Sequence, residues 1–237
     1  MRTSKIGLAS FALVACSLYP SAQQANLKAR VELSQNGRKV KNASNTVIWL
    51  TPLGAGSAEP PPQTQIPRLE QRDKSFHPAL VVVPVGGKVE FPNHDPFFHN
   101  VFSLYEGKRF DLGLYESGTT RFVQFDRPGI SYIFCNIHAE MSAVVIALAT
   151  PYFGVSDVKG EITLPNVPPG RYRMQVFHAS ARAEDLQAYD REVMVTGETS
   201  SLGSLELHEL DKMAMHKNKY GRDYDPPSPD SPVYARP

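Results

Sequence analysis

Cysteine is scarce in this chain: there are two in 237 residues, Cys16 and Cys135. Iron–sulfur clusters, which draw on several thiolates, are excluded by that count. Structural zinc sites with two or more cysteine ligands fare little better. Charge of one sign is missing as well. Lysine and arginine total 25 against 24 aspartates and glutamates, a net charge of +1, so the basic footprint of a nucleic-acid binder is absent. Long apolar runs are lacking too. The longest, residues 6–15 (IGLASFALVA), is about half the ~20 residues needed to span a bilayer. Long helical periodicity is also absent. Twenty prolines against sixteen glycines suit a chain of strands and turns.

What is present begins with an export signal. Met1-Arg2-Thr3-Ser4-Lys5 is basic and the apolar run follows it directly, the order of a secretory signal. Its end can be read in two ways. Leu13-Val14-Ala15-Cys16 resembles a bacterial lipoprotein box, in which the cysteine becomes the lipidated first residue. Ordinary cleavage after Ser21-Ala22 is the other reading, with Pro20 a poor match. Either way the expected product, free of residues 1–22 or beginning at Cys16, is exported to the periplasm. A membrane contact is expected only through a lipid on Cys16. Cys135 is then the one free thiol in an oxidising compartment, with no internal disulfide open to it. Such a thiol needs burial or a bound partner.

Alternation and turn signals predict an all-β protein. "LKARVEL" and "NTVIWL" flank the turn Gln35-Asn36-Gly37 and read as a hairpin within residues 27–53. A Gly/Pro linker, residues 54–62, separates it from seven short strands at 69–76, 80–86, 88–91, 99–104, 119–125, 131–135 and 143–149, a spacing that suggests a sandwich. Further strands follow within 151–207. One hairpin alone is marginal, so 27–53 is expected to pair with 151–207, with the sandwich 66–149 inserted between them. From 208 to 237 the chain turns polar and proline-rich and is expected to stay disordered.

The chemistry gathers in two places. His99 opens "HNVFSL", and Cys135, His138 and Met141 share the stretch "FCNIHAEM". Two imidazoles, one thiolate and a thioether are the donors of blue-copper centres, and this set supplies each. A cysteine ending a strand, with two further donors on the next loop, can wrap one side of an ion while the second imidazole arrives from a neighbouring strand. A cysteine nucleophile with His138 as base would leave His99 and Met141 without a role. His94, in the turn with Asp95-Pro96, is the rival to His99, and an exposed turn histidine is its plainer reading. His77 and His178 read as surface or edge residues, and Trp49 with the Phe97-Phe98 pair as core or site lining. Lys212-Met213-Ala214-Met215-His216 could form a second, exposed soft-metal site, although an amphipathic or disordered tail is the plainer reading.

Residues 66–149 resemble a cupredoxin. "FHPALVVVPVGGKVEFPNHDPFFHNVFS" matches the first half of that Greek-key sandwich and "FDRPGISYIFCNIHAEM" its ligand loop. The Cys-x2-His-x2-Met spacing is closest to the amicyanin kind. The resemblance implies one type 1 copper, with His99, Cys135 and His138 as equatorial ligands and Met141 as the axial one. It also implies that Asn100 ties the two ligand loops by hydrogen bonds from behind. Residues 27–53 with 151–207 are similar to carboxypeptidase regulatory-like (transthyretin-like) domains, on "DVKGEITLPNVPPGRYRMQV". The whole arrangement resembles exported bacterial proteins labelled methylamine utilisation proteins, although no quinone cofactor is visible.

The function expected on these grounds is single-electron transfer without catalysis. Copper oxidases and reductases add further histidine clusters, typically as His-x-His pairs, and none of the seven histidines here forms such a pair. The expected partners are small redox proteins such as c-type cytochromes or a periplasmic dehydrogenase. The alternative is a copper-binding module for delivery, storage or sensing.

Overall fold

Asn36 and Gly37 both adopt positive φ, 51° and 74°, the pairing that lets a two-residue turn follow the twist of its strands. The computed structural model in which they reverse the chain describes residues 24–54, 60, 62–104, 107–210 and 216–224. The expected signal and Cys16 lie outside the described residues, as do Met213 and Met215. No helix among the described residues is long and apolar enough to cross a membrane.

Three groups of strands follow in chain order. The first is β1 (Ala25–Gln35), β2 (Arg38–Lys39) and β3 (Val47–Pro52). The middle group is β4 (Glu70–Arg72), β5 (Ser75–His77), β6 (Leu80–Pro84), β7 (Gly87–Pro92), β8 (His99–Ser103), β9 (Phe110–Tyr115), β10 (Thr120–Phe125), β11 (Gly129–Cys135) and β12 (Ser142–Leu148). The last is β13 (Phe153–Val155), β14 (Glu161–Val167), β15 (Gly170–Phe177), the short helix α1 (Ala183–Ala188), β16 (Arg191–Val195) and β17 (Ser201–His208). The fold is an all-β sandwich architecture.

The first and last groups share two sheets. In one, β1 runs antiparallel to β14 and parallel to β17, with β2 beside it; the other has the order β13-β3-β15-β16. Alternate residues of β1 (Leu27, Ala29, Val31, Leu33) meet Ile48, Leu50, Leu164 and Met174 in one core, as the two-residue period of a half-buried strand requires. Here the structure corrects the expected hairpin. β1 and β3 do not pair; they lie in separate sheets, because β1 spends its two edges on β14 and β17. Gly160 enables the close approach of β14: a Cβ there would stand 2.0 Å from the Val31 carbonyl oxygen.

The middle group forms a five-stranded sheet, β6-β12-β11-β8-β9, faced by the pair β10-β7 and the hairpin β4-β5. Val89, Phe91, Val101, Phe125, Ile133 and Val145 fill the space between the layers, together with Cys135 and Met141. Two elements differ from the sequence reading. The strand expected at 69–76 is a hairpin, turned by Asp73 and Lys74 in positive φ (54° and 53°). β9 went unrecognised because Gly113, at φ 68°, and a register shift against β8 interrupt its alternation.

Strand β12 is buried on both faces, which explains its unbroken apolar run AVVIALA. Its outward side chains Val144, Ile146 and Leu148 pack on Val47 and Phe177 of the flanking sheet. Burial is worth roughly 1.5–3 kcal/mol for each large apolar side chain, so this contact fixes the middle group on its host. Trp49 lies at the margin of that contact. Residues 216–224 fall within the stretch expected to be disordered, and they instead lie against the middle group through hydrogen bonds to Asn136, Asp111 and Cys135.

Candidate metal centre

The turn ahead of β8 is built by short polar side chains. Asp95 N–H donates to Asn93 Oδ1 (3.0 Å), and Asn93 Nδ2 donates to the carbonyls of Phe97 (2.8 Å) and Tyr115 (3.3 Å). This folds Asp95 inward, where its carboxylate accepts from the main-chain amides of Asp73 (2.7 Å) and Lys74 (3.0 Å). The left-handed turn between β4 and β5 aims those two amides, so the unexpected hairpin has a part in the site. Asp95 Oδ2 then meets His99 Nε2 at 2.8 Å.

That contact assigns the imidazole. A carboxylate can only accept, so Nε2 carries the hydrogen and Nδ1 is left with a free lone pair. Burial pushes the Asp95 carboxyl up, but the hydrogen bonds from His99, Lys74 and Asp73 more than offset it and hold it below its ordinary value. Burial lowers His99, with Asp95 opposing it in part. Burial and the neighbouring His99 push His138 down to about 4. Both rings are therefore neutral near pH 7, the form that binds metal ions.

On the other side, β11 ends at Cys135, which is paired with Val101 of β8. The loop after it closes tightly: Met141 N–H donates to the His138 carbonyl (3.1 Å) and Cys135 N–H to the Met141 carbonyl (3.3 Å). His138 is thereby turned back over the cysteine. Cys135 Sγ lies 3.5 Å from His99 Nδ1 and 3.6 Å from His138 Nδ1, and the three donor atoms all fall within 4.8 Å of one another. His99 and Cys135 are 0% exposed and His138 2%. Burial raises the Cys135 thiol, against the opposing pull of the Asn100, Ile137 and His138 amides.

The donor set fits a metal ion. Metal–nitrogen and metal–sulfur bonds of about 2.0 and 2.3 Å, opened to angles between tetrahedral and trigonal, separate N from S by roughly 3.5–3.7 Å. The two observed separations, 3.5 and 3.6 Å, fall within that range. Soft thiolate with imidazole favours copper or zinc over hard cations. Met141 is fully buried in the core cluster that holds Cys135.

The remaining residues singled out from sequence fall as follows. Asn100 N–H is directed at the Cys135 sulfur. The expected tie between the ligand loops is made by main chain, from Asn136 N–H to the Asn100 carbonyl at 2.9 Å. The Asn100 side chain turns instead to Asp111 Oδ1 at 2.6 Å. His94 is half-exposed and near Glu70, outside the group. Phe97 lines the site, its ring 5.3 Å from that of His99 and 5.5 Å from that of His138, while Phe98 is exposed. His178, expected at the surface, is buried with Nδ1 3.2 Å from Ser180 Oγ.

Sequence reasoning missed Asp95. Its signal was present: an Asn-x-Asp turn places a carboxylate four residues ahead of a histidine that opens a buried strand. The contacts made by 216–224 carry no comparable signal.

No protein-family model matches the chain, and no curated protein matches it. Solved structures do. The chain is similar to a copper-containing nitrite reductase from Thermus scotoductus, at 22% identity and a TM-score of 0.34, over 41% of this chain and 25% of that one. It is similar to a purple cupredoxin from Nitrosopumilus maritimus, at 24% identity and a TM-score of 0.30, over 32% of this chain and 84% of that one. A reduced single-residue variant of amicyanin is similar at 15% identity and a TM-score of 0.34, over 43% of this chain and 98% of that one. The chain thus spans about a quarter of the length of the nitrite reductase, and each likeness covers less than half of this chain.

Proposed function

We propose that this chain is an exported, periplasmic, mononuclear type 1 copper protein that carries single electrons between redox partners. The observation that carries the proposal is the buried group of His99 Nδ1, Cys135 Sγ and His138 Nδ1 within 4.8 Å. On this reading residues 66–149 are a cupredoxin domain and Met141 is the axial ligand. A copper ion held there would alternate between Cu(II) and Cu(I), taking up and releasing one electron.

The protein's own residues supply the rest. Asp95 holds the His99 tautomer, so its Nδ1 needs no rearrangement to bind. Cys135 gives up its thiol proton on binding, and the three amides directed at its sulfur favour the thiolate that remains. Phe97 and the burial of all three donors exclude water, which keeps one geometry for both oxidation states. The copper-delivery reading needs donors that open to solvent, and burial at 0–2% exposure favours retention instead.

His138, on the loop rather than in the sheet, is the assigned port for electrons. Partners on this reading are c-type cytochromes or a periplasmic dehydrogenase, met through a small transient interface. The strands on either side, which resemble a carboxypeptidase regulatory-like domain, serve as the scaffold. Contact with a membrane is limited to a lipid on Cys16. We read the chain as a carrier rather than an enzyme on its histidine pattern.

Adding Cu(II) to the purified exported form and recording its visible spectrum tests the proposal. An intense thiolate-to-copper band, bleached by ascorbate and restored by an oxidant, is expected. A colourless product would overturn it.

A further inference from the structure

Residues 216–224 supply none of the three donor atoms, yet the contacts that leave this segment converge behind them. Lys219 N–H donates to Asn136 Oδ1 (2.9 Å), and its ammonium pairs with Asp111 Oδ2 (2.8 Å). Asn136 directly follows Cys135. Asp111 holds, through its other oxygen, the side chain of Asn100, the residue after His99. Tyr224 Oη donates to the Cys135 carbonyl at 2.6 Å. His216 stacks on Phe134, the residue before Cys135, with ring centroids 4.0 Å apart, and its Nδ1 lies 3.1 Å from Tyr224 Oη. The main chain of Ala139 and Met141 also faces the His216 ring.

The segment is stiff in itself. Asn218 Oδ1 accepts from the amides of Tyr220 (3.0 Å) and Arg222 (3.1 Å), and Asn218 N–H donates to the Arg222 carbonyl (2.9 Å). Gly221 closes this turn with φ 76°, a backbone that favours glycine. A rigid knob therefore stands between two anchors, Lys219 on one side and the His216–Tyr224 pair on the other. The anchors reach both ligand-bearing strands: β11 and its loop through Cys135 and Asn136, and β8 through Asp111 and Asn100.

We propose that residues 216–224 are a strap that positions the ligand loop, with Tyr224 and Lys219 as its positioning residues. Holding the Cys135 carbonyl, the Asn136 side chain and Asp111 together fixes the spacing of the donors before the ion arrives and slows its escape afterwards. The effect on the ion rests on the copper reading above; the effect on the loop does not.

The test uses the full exported chain with Tyr224→Phe, which keeps the ring and removes only the donor, and Lys219→Met, which removes the ion pair. In the metal-free protein, amide hydrogen exchange at 136–141 should rise about fivefold in each variant, the loss of one net hydrogen bond. In the copper-loaded protein, transfer of Cu(I) to a chelator should accelerate by a similar factor. The thiolate-to-copper band should also shift in position, which mere loss of packing far from the ion would not cause. Unchanged exchange at 136–141 in both variants overturns the strap. A colourless wild-type protein overturns the copper reading instead, and the exchange measurement still decides the strap.

Discussion

His99 Nε2 lies 2.8 Å from Asp95 Oδ2, and that carboxylate is itself held by two main-chain amides of the β4-β5 turn. The imidazole is thus aimed by a hairpin that supplies none of the three grouped donor atoms. Asp95→Asn should preserve the fold while losing the acceptor-only partner that fixes the tautomer. Copper affinity, read by competition with a chelator, should fall by roughly 10–100-fold. An unchanged affinity would remove Asp95 from the site.

Cys135→Ser should abolish the thiolate-to-copper band, since a hydroxyl cannot supply that transition. The variant should still fold, because three amides already face the position and can bond to the new oxygen. Retention of an intense visible band would rule out Cys135 as a ligand.

Met141→Gln should keep the colour but lower the reduction potential, since the axial ligand tunes the potential. Met141 is fully buried, so introducing an amide there should also cost about 1–3 kcal/mol of stability in chemical denaturation. An unmoved potential would argue that Met141 only packs.

The metal-free protein should lose stability on acidification, and the sign follows from His138. Its folded pKa of about 4 lies below an unfolded value near 6.5. Above pH 6.5 the ring is neutral in both states and contributes nothing. Between pH 6.5 and 4 the unfolded chain takes up a proton that the folded chain refuses, so stability falls with pH by an amount on the order of 2–3 kcal/mol. Denaturation midpoints of wild type and His138→Gln at pH 7 and 4.5 check this: the variant should lose less. Equal losses would show that His138 is not the source.

Phe177→Ala should destabilise the protein by about 3–5 kcal/mol, because the ring sits in the apolar contact with Val144, Ile146 and Leu148. Thermal unfolding followed separately at the copper band and in the far ultraviolet should then lose its coincidence. A cooperative transition at the wild-type temperature would contradict the packing described.

Much of this was legible in the sequence. His99, Cys135 and His138, named from residue type and spacing, do lie together, because strand ends and short loops leave little freedom for where such side chains go. The alternation of β1 and the continuous apolar run of β12 likewise stated how many faces each buries. What stayed hidden was non-local. Nothing in "VELSQNGRKV" says that β1 would leave β3 for β14 and β17, since a strand's choice of partner depends on sheets formed elsewhere. Two left-handed residues at Asp73 and Lys74 carry no glycine to announce them. Polarity around Lys219 and Tyr224 spoke for solvent, whereas their donors found acceptors beside the cysteine.

The placement of β1 also sets an order of assembly. Its partners β14 and β17 are made near the far end of the chain, whereas β11 finds β12 and β8 close by. Closing short loops is the smaller entropic cost, so the middle group comes together while β1 is still waiting. The donor group is shaped before its host is complete, and residues 216–224 arrive after both. A newly emerging chain therefore holds its ligand loop unstrapped for a time, and residues 216–224 tie it down last.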